Sequence, residues 1–397
     1  STATRLSQRM VVSLGMCEGI IWRDGPNDHV DTESLDISTA FLQGLDYKEL
    51  QQNSRTLGYE YRRPRQVHVE PPENVWRPFR NMKNAPRELR VPDHLRAHYV
   101  LKCLRAMYGF ADAPLMFQLA LINFLKTTTG AVTSVFDDNF LFWYKVVNGV
   151  KQVCLVMTVH VDDLQLTGGL RMRTWIHGIL EKRFGQLKRQ HMPYVHAGIQ
   201  LERVNQKCIR LHQDAFTDKL TTYAIPKERL NDPTSPCTAS ETTVFRSLTC
   251  SALWSCQTRL DELCNVTALQ TKLKKPLIED LMSINTVIKR LKNNRNKFGI
   301  YFWYLKPPFR IIAVSDASAP NKSTNFATEG IVVALGEDRL PRLDRDDHDY
   351  LENQLVKYLG GRFHILVGSS QKPKRISHST SHAECLSAAE AIPLAQL

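Results

Sequence analysis

Long apolar runs, paired cysteines and internal repeats are all missing from this 397-residue chain. No stretch approaches the roughly 18 consecutive apolar residues that cross a bilayer, which excludes a transmembrane helix. The first residues, Ser1-Thr2-Ala3-Thr4-Arg5, hold no apolar core, so no signal peptide is read and a cytoplasmic, intracellular location is expected. They also lack an initiator Met, which points to a piece of a longer product. The nine cysteines form no Cys-x-x-Cys pair, so we expect reduced core thiols and no zinc site. Acidic residues are the scarcer charge, 40 against 52 Lys and Arg, for a net +12. Such an excess either recruits nucleic acid through counterion release or serves solubility alone.

Hydrophobic content of 43% and charged content of 23% describe an ordinary folded chain, long enough for two or three domains. Its centre is 153–169. From Val153 to Val161 every residue but His160 is apolar or threonine, a buried-strand composition. The run stops at two adjacent carboxylates, Asp162 and Asp163, and Leu164 and Leu166 then lead to Thr167-Gly168-Gly169. This predicts strand, tight turn, strand, with both aspartates at the tip. Two anions at the end of a buried hairpin call for a cation; in an exposed turn they need none. Asp36, alone among small and apolar residues in 34–42, is either a helix N-cap or a third carboxylate converging on the same tip.

The remaining pattern is α+β. Apolar spacing predicts a helix within 4–22, and Asp112 and Pro114 open another that Gly130 closes. Phe140 to Val147 reads as a strand turning at Asn148-Gly149 into the strand that ends at the aspartates. A helix over 170–185 presents Leu170, Trp175, Ile179 and Phe184 as its apolar face. Arg62-Arg63-Pro64-Arg65 and Pro71-Pro72 mark a polar stretch of loops and short strands, part of the basic surface. Residues 226–243, with three prolines, read as a linker, and helical patterns return over 244–292. Phe309 to Val314 and Phe363 to Val367 are strands, 337–361 is a charged solvated insertion, and Ser379 opens a last helix.

The ordered set of motifs resembles the reverse transcriptase of copia-type retrotransposons. It comprises Asp36-Ile-Ser-Thr-Ala-Phe41-Leu, Tyr108-Gly-Phe-Ala-Asp-Ala-Pro114 and His160-Val-Asp-Asp163. Thr258-Arg259-Leu260-Asp261 resembles the connection helices of the same polyprotein. Ser315-Asp316-Ala317 and Ser379-Thr-Ser-His-Ala-Glu384 resemble its RNase H region. The resemblance implies a polymerase palm with partial fingers and primer grip over 1–225, a linker at 226–243, thumb or connection helices over 244–300 and a truncated RNase H-like domain over 301–397. It implies template-directed deoxynucleotide transfer on an RNA template from a DNA primer or RNA–DNA hybrid, with deoxynucleoside triphosphates as substrate. Two Mg²⁺ ions roughly 3.5–4 Å apart, or Mn²⁺ in their place, serve such chemistry through carboxylate ligands. Those ligands would be Asp36 and Asp162, with Asp163 more peripheral.

Further roles follow from the resemblance. Phe41 would exclude a 2′-hydroxyl, though it reads equally as a core residue. Tyr108 and Gly109 would line the template and nucleotide, and Gly198 in His196-Ala-Gly198 would let a primer approach closely. His160 stands where the family carries Tyr, and Gly109-Phe-Ala-Asp-Ala-Pro114 stands where the family carries Gly-Leu-Lys-Gln-Ala-Pro, losing a Lys and gaining the Asp112 anion near the substrates. Asp316 and Glu384 would be RNase H carboxylates; Glu384 also suits a capping box with Ser381. The family's fingers strands would precede Arg5 and its other RNase H carboxylates would follow Leu397, so no RNase H activity is expected. Two readings compete with the enzyme: a decayed copy that binds nucleic acid without catalysis, and an unrelated α+β protein whose aspartates form a surface turn.

Overall fold

The computed structural model describes residues 2–53, 66–70, 91–318, 328–338, 362–372 and 379–396, with isolated positions between 74 and 90. The basic stretch at 62–65, Pro71-Pro72 and most of the charged insertion at 337–361 lie outside the described residues.

A helix, α1 (Arg5–Gly15), is capped by Thr4, whose side chain accepts from the Ser7 N–H. After it come β1 (Asp31–Ile37), a 3₁₀ turn at Ala40–Gln43, α2 (Tyr47–Asn53), β2 (Val67–Val69) and β3 (Leu101–Cys103). Next stand α3 (Ala113–Thr129), β4 (Val132–Thr133), β5 (Phe140–Val147), β6 (Val150–His160), β7 (Asp163–Gly168), α4 (Leu170–Phe184) and β8 (Leu187–His191). Pro114 lies in the first turn of α3, and Gly130 closes it at φ 70°. Strands β4 to β8 and β1 form one antiparallel sheet in the order β4-β5-β6-β7-β1-β8. Its apolar face (Leu35, Ile37, Leu155, Met157, Val159, Leu164, Leu166) packs on Phe117, Leu121 and Leu125 of α3 and on Ile176 and Leu180 of α4. That burial, not propensity, holds the hairpin carrying the aspartates in place.

A second antiparallel sheet contains β9 (Tyr194–His196), β10 (Ile199–Asn205), β11 (Cys208–His212) and β12 (Ile300–Trp303). Between β11 and β12, after the four-residue helices Asp214–Thr217 and Lys227–Leu230, lie three longer helices, α5 (Ala239–Ser255), α6 (Leu263–Gln270) and α7 (Ile278–Asn293), around a core of Phe245, Val266, Leu281, Ile284 and Ile288. The chain finishes with β13 (Phe309–Ala317), β14 (Glu329–Glu337), β15 (Phe363–Gln371) and α8 (Thr380–Gln396), with the strands in a third antiparallel sheet. The architecture is mixed α and β with several sheets. Among the described residues no helix is long and apolar enough to cross a membrane.

Four expectations change. Helix α4 buries Ile176, Leu180 and Phe184, whereas Leu170 and Trp175 are exposed. Arg173 and His177, one turn apart, reach the buried Glu33 carboxylate and turn the helix about its axis. Residues 226–243 are not a free tether: Thr238 and Glu241 form a capping box opening α5, Arg229 pairs with Glu241, and the Cys237 N–H donates to Pro276 O. Asp36 lies inside β1 rather than at a helix start. Of the cysteines, all free, Cys17, Cys154, Cys208 and Cys256 are buried core residues, but Cys250, Cys264 and Cys385 are exposed.

Candidate functional site

Register brings the aspartates together. In the β1–β7 ladder Asp36 stands directly opposite Asp163, and in the β6–β7 ladder Asp163 stands opposite His160. On the other side of β1, Asp36 faces Lys188 of β8. Residues opposite one another share a face, so His160, Asp163, Asp36 and Lys188 form a row across four strands on the face away from the apolar core. Asp162 belongs to the two-residue turn between β6 and β7, and its carbonyl accepts from the Ile37 N–H at 3.2 Å, tying that turn to the end of β1. The other turn residue, Val161, has φ 62°. A β-branched side chain there is strained, and such strain gathers at functional positions.

The row carries too little positive charge for its carboxylates. Burial pushes the Asp163 carboxyl up to about 6; the charges of Asp162 and Asp36 push the same way, and Lys188 pulls against them. The reading of an unrelated surface turn needs Asp36 remote from the pair, and it is adjacent. Oxygen-only donors and excess negative charge suit a hard divalent cation. Among the described residues no group of three or more His, Cys, Asp or Glu side chains is arranged to hold a metal ion. Mg²⁺ commonly takes one or two carboxylates and completes its shell with water and substrate phosphates, so the donor chemistry fits an ion that a substrate brings to completion.

His160 is half-buried, with Gln8 Nε2 3.5 Å from its Nδ1 and the His196 ring 6.4 Å away, edge to face. Burial and Arg5 push its pKa down, against the pull of Asp162. His196 is buried, which with His160 and Arg5 pushes it down to about 3. Phe41, in the 3₁₀ turn after β1, packs into the core and against the Tyr108 ring at 4.9 Å, while Tyr108 itself is 54% exposed. Gly109 beside it has φ 94°. Gly198, at φ 79° in the β9–β10 turn, approaches the Trp254 indole of α5 so closely that a Cβ would lie 2.7 Å from it. Arg5 stacks over the same indole at 5.2 Å and donates to Ala197 O at 3.1 Å.

In the third sheet the Ala317 N–H donates to Glu384 Oε1 at 3.3 Å, and Ser387 Oγ donates to the Asp316 carbonyl at 3.3 Å. Glu384 therefore lies against the strand that carries Asp316. It does not close a capping box with Ser381, because Ser379 Oγ accepts from the His382 N–H at 3.1 Å and the helix begins earlier. Sequence reasoning missed Lys188, Gln8 and Arg5 as neighbours of the site, since each arrives through pairing or packing that no local pattern encodes. A β-branched residue between a long strand and a carboxylate pair was the only trace of the strained Val161.

The polar end of an antiparallel sheet, carrying three carboxylates with Lys188 beside them, belongs to a chain similar to the Pol polyproteins of retrotransposons. Over 260 residues, 62% of its length, it is 29% identical to the retrovirus-related Pol polyprotein from transposon RE1 of Arabidopsis thaliana. The match spans 17% of that polyprotein. No family model matches the chain.

Proposed function

We propose that this chain is the palm and thumb portion of a copia-type reverse transcriptase, acting on a primer–template with deoxynucleoside triphosphates as substrate. The observation that carries the reading is the register that sets Asp36 opposite Asp163, with Asp162 in the adjoining turn. Asp36 and Asp162 are the residues that would hold Mg²⁺, and Asp163 adds charge beside them. When bound, the metal supplies Lewis-acid activation of the attacking oxygen and neutralises the leaving pyrophosphate. The chain's own residues do the rest. Phe41 and Tyr108 offer an aromatic wall for the incoming sugar and base, and His160 and the β9–β10 turn line the approach of the primer end. Asp316 and Glu384 are the corresponding remnant of an RNase H-like site.

A second reading, nucleic-acid binding without catalysis, draws on the lack of an assembled three-ligand group among the described residues and on the net charge of +12. A primer-extension assay with Mg²⁺ on an RNA template separates the two. Incorporation by the wild-type chain that Asp162→Asn abolishes supports the polymerase. Binding of an RNA–DNA hybrid with no incorporation under any divalent metal supports the binder.

A further inference from the structure

Helix α1 carries a buried charge that no acid meets. Arg9 is 7% exposed; its Nη1 donates to Leu366 O at 3.0 Å and its Nη2 to Gln257 O at 2.7 Å, both neutral carbonyls. Arg5, one turn earlier, donates to Gln8 Oε1 at 2.7 Å and to Ala197 O. Among the described residues neither arginine has a carboxylate partner. Arg173, Arg210 and Arg259, the other buried arginines among the described residues, each meet one: Glu33 at 3.1 Å, Glu202 at 3.0 Å and Asp261 at 2.7 Å. Burial pushes both guanidinium groups down, Arg9 to about 10 with Arg5 pressing the same way, yet both stay charged at neutral pH. A buried charge without an opposite one is costly.

Both arginines line a cavity of about 20 Å³. Gln165 of β7 and His196 of β9 line it as well, each 2% exposed, and Gln165 Oε1 and His196 Nε2 have no hydrogen-bond partner. No Asp or Glu is among the lining residues, all of which lie in the described part of the chain. Both unpartnered ends can present a proton to a guest. Gln165 Nε2 donates to Tyr194 Oη at 3.2 Å; a half-turn of the amide lets the tyrosine donate to Oε1 and frees the NH₂ for the cavity. Ser34 Oγ lies 3.5 Å from His196 Nδ1, and when that hydroxyl donates there the imidazole proton sits on Nε2.

We propose that this cavity is a monatomic-anion site that takes chloride, the counter-ion of Arg9 and Arg5, with Gln165 and His196 donating to it. Size selects the guest. Room for about one water-sized body admits a halide and shuts out sulfate, phosphate and organic anions. Charge selects it again: a water would meet the same two unpartnered atoms but would leave Arg9 without an opposite charge. Bound there, the ion joins α1 to β7 of the six-stranded sheet and to β9 of the second sheet.

The inference is independent of the polymerase reading, and its test reads stability and ion position rather than nucleotide incorporation. Thermal melts of the full 397-residue chain in sodium chloride, sodium bromide and sodium gluconate at equal ionic strength compare two halides with an anion too large for the cavity. Chloride and bromide should raise the melting temperature by about 2 °C or more over gluconate, and the rise should saturate. Gln165→Leu keeps both arginines and removes the amide, and should weaken the apparent halide affinity by about tenfold. Arg9→Met should erase the halide dependence. Crystals of the wild-type chain grown in sodium bromide read the site without any variant, and should show an anomalous bromine peak beside Arg9 and His196. Equal melting temperatures in halide and gluconate overturn the proposal. So does a halide effect that Gln165→Leu and Arg9→Met both leave intact, or a cavity that holds water and no bromine in the bromide crystals.

Discussion

Glu33 lies three residues before Asp36 on the opposite face of β1, fully buried, with Arg173 at 3.1 Å, His177 at 2.5 Å and His191 at 3.5 Å. Burial pushes its carboxyl up, but His177, Arg173 and His191 together outweigh that and hold it below its ordinary value. Removing one member of a buried charge cluster strands the others. Glu33→Ala should therefore cost about 3–5 kcal/mol in urea unfolding, and Glu33→Ala with Arg173→Met should recover part of it. His364 makes a different kind of contact. It takes the Ser13 hydroxyl at 2.8 Å on Nδ1 and gives its Nε2 proton to Trp303 O, joining α1, β12 and β15. Burial pushes it down to about 4, against the Trp303 hydrogen bond. Its folded pKa is below the unfolded value, so its stabilisation is complete above about pH 6.5 and is lost as pH falls toward 4, by about 3 kcal/mol. Thermal melts between pH 7 and 4 should show this slope, and His364→Asn should flatten it while lowering the melting temperature at pH 7.

Two hairpin turns meet at the candidate site, and they are built differently. The β6–β7 turn strains a valine to aim Asp162, whereas the β9–β10 turn uses Gly198 to admit Trp254. The resemblance implies that Gly198 lets a primer approach, but the close approach within the chain is to the indole of α5. This contact fastens the helical bundle to the hairpin beside His196. An Ala at position 198 would suffer both the left-handed backbone and the indole, so Gly198→Ala should cost about 1–3 kcal/mol in thermal or urea unfolding. Trp254→Ala in the Gly198→Ala background should regain the steric part and not the backbone part. Equal losses with and without the indole would sink this account.

Across the whole molecule the two faces of the six-stranded sheet differ. One packs apolar side chains on α3 and α4 and buries Glu33 there; the other carries Asp36, Asp163 and Lys188 at one end, packs Phe140 and Val156 on α1, and meets the second sheet through Ser34 and Gln165. The excess of base, +12 in all, should make binding of an RNA–DNA hybrid strongly salt-dependent, falling by orders of magnitude between about 50 and about 200 mM salt. Asp162→Asn should leave that slope unchanged while abolishing incorporation, because the slope counts phosphate contacts and the aspartate makes none. An affinity indifferent to salt would remove the electrostatic basis for a nucleic-acid partner.

The sequence by itself determined the elements that rest on local chemistry. The strand ending at Asp162, the Asn148-Gly149 turn and the helix from Pro114 to Gly130 all follow from apolar period and turn residues within a few positions. It also singled out the carboxylates. What only the tertiary structure decided is which residues stand beside them. Strand pairing joins β1 to β7 and β8 across more than a hundred residues of chain, and register there depends on which side chains the apolar core accepts. The face of α4 escaped for the same reason: a buried glutamate on another strand sets its rotation, and a helix's own period carries no record of that partner.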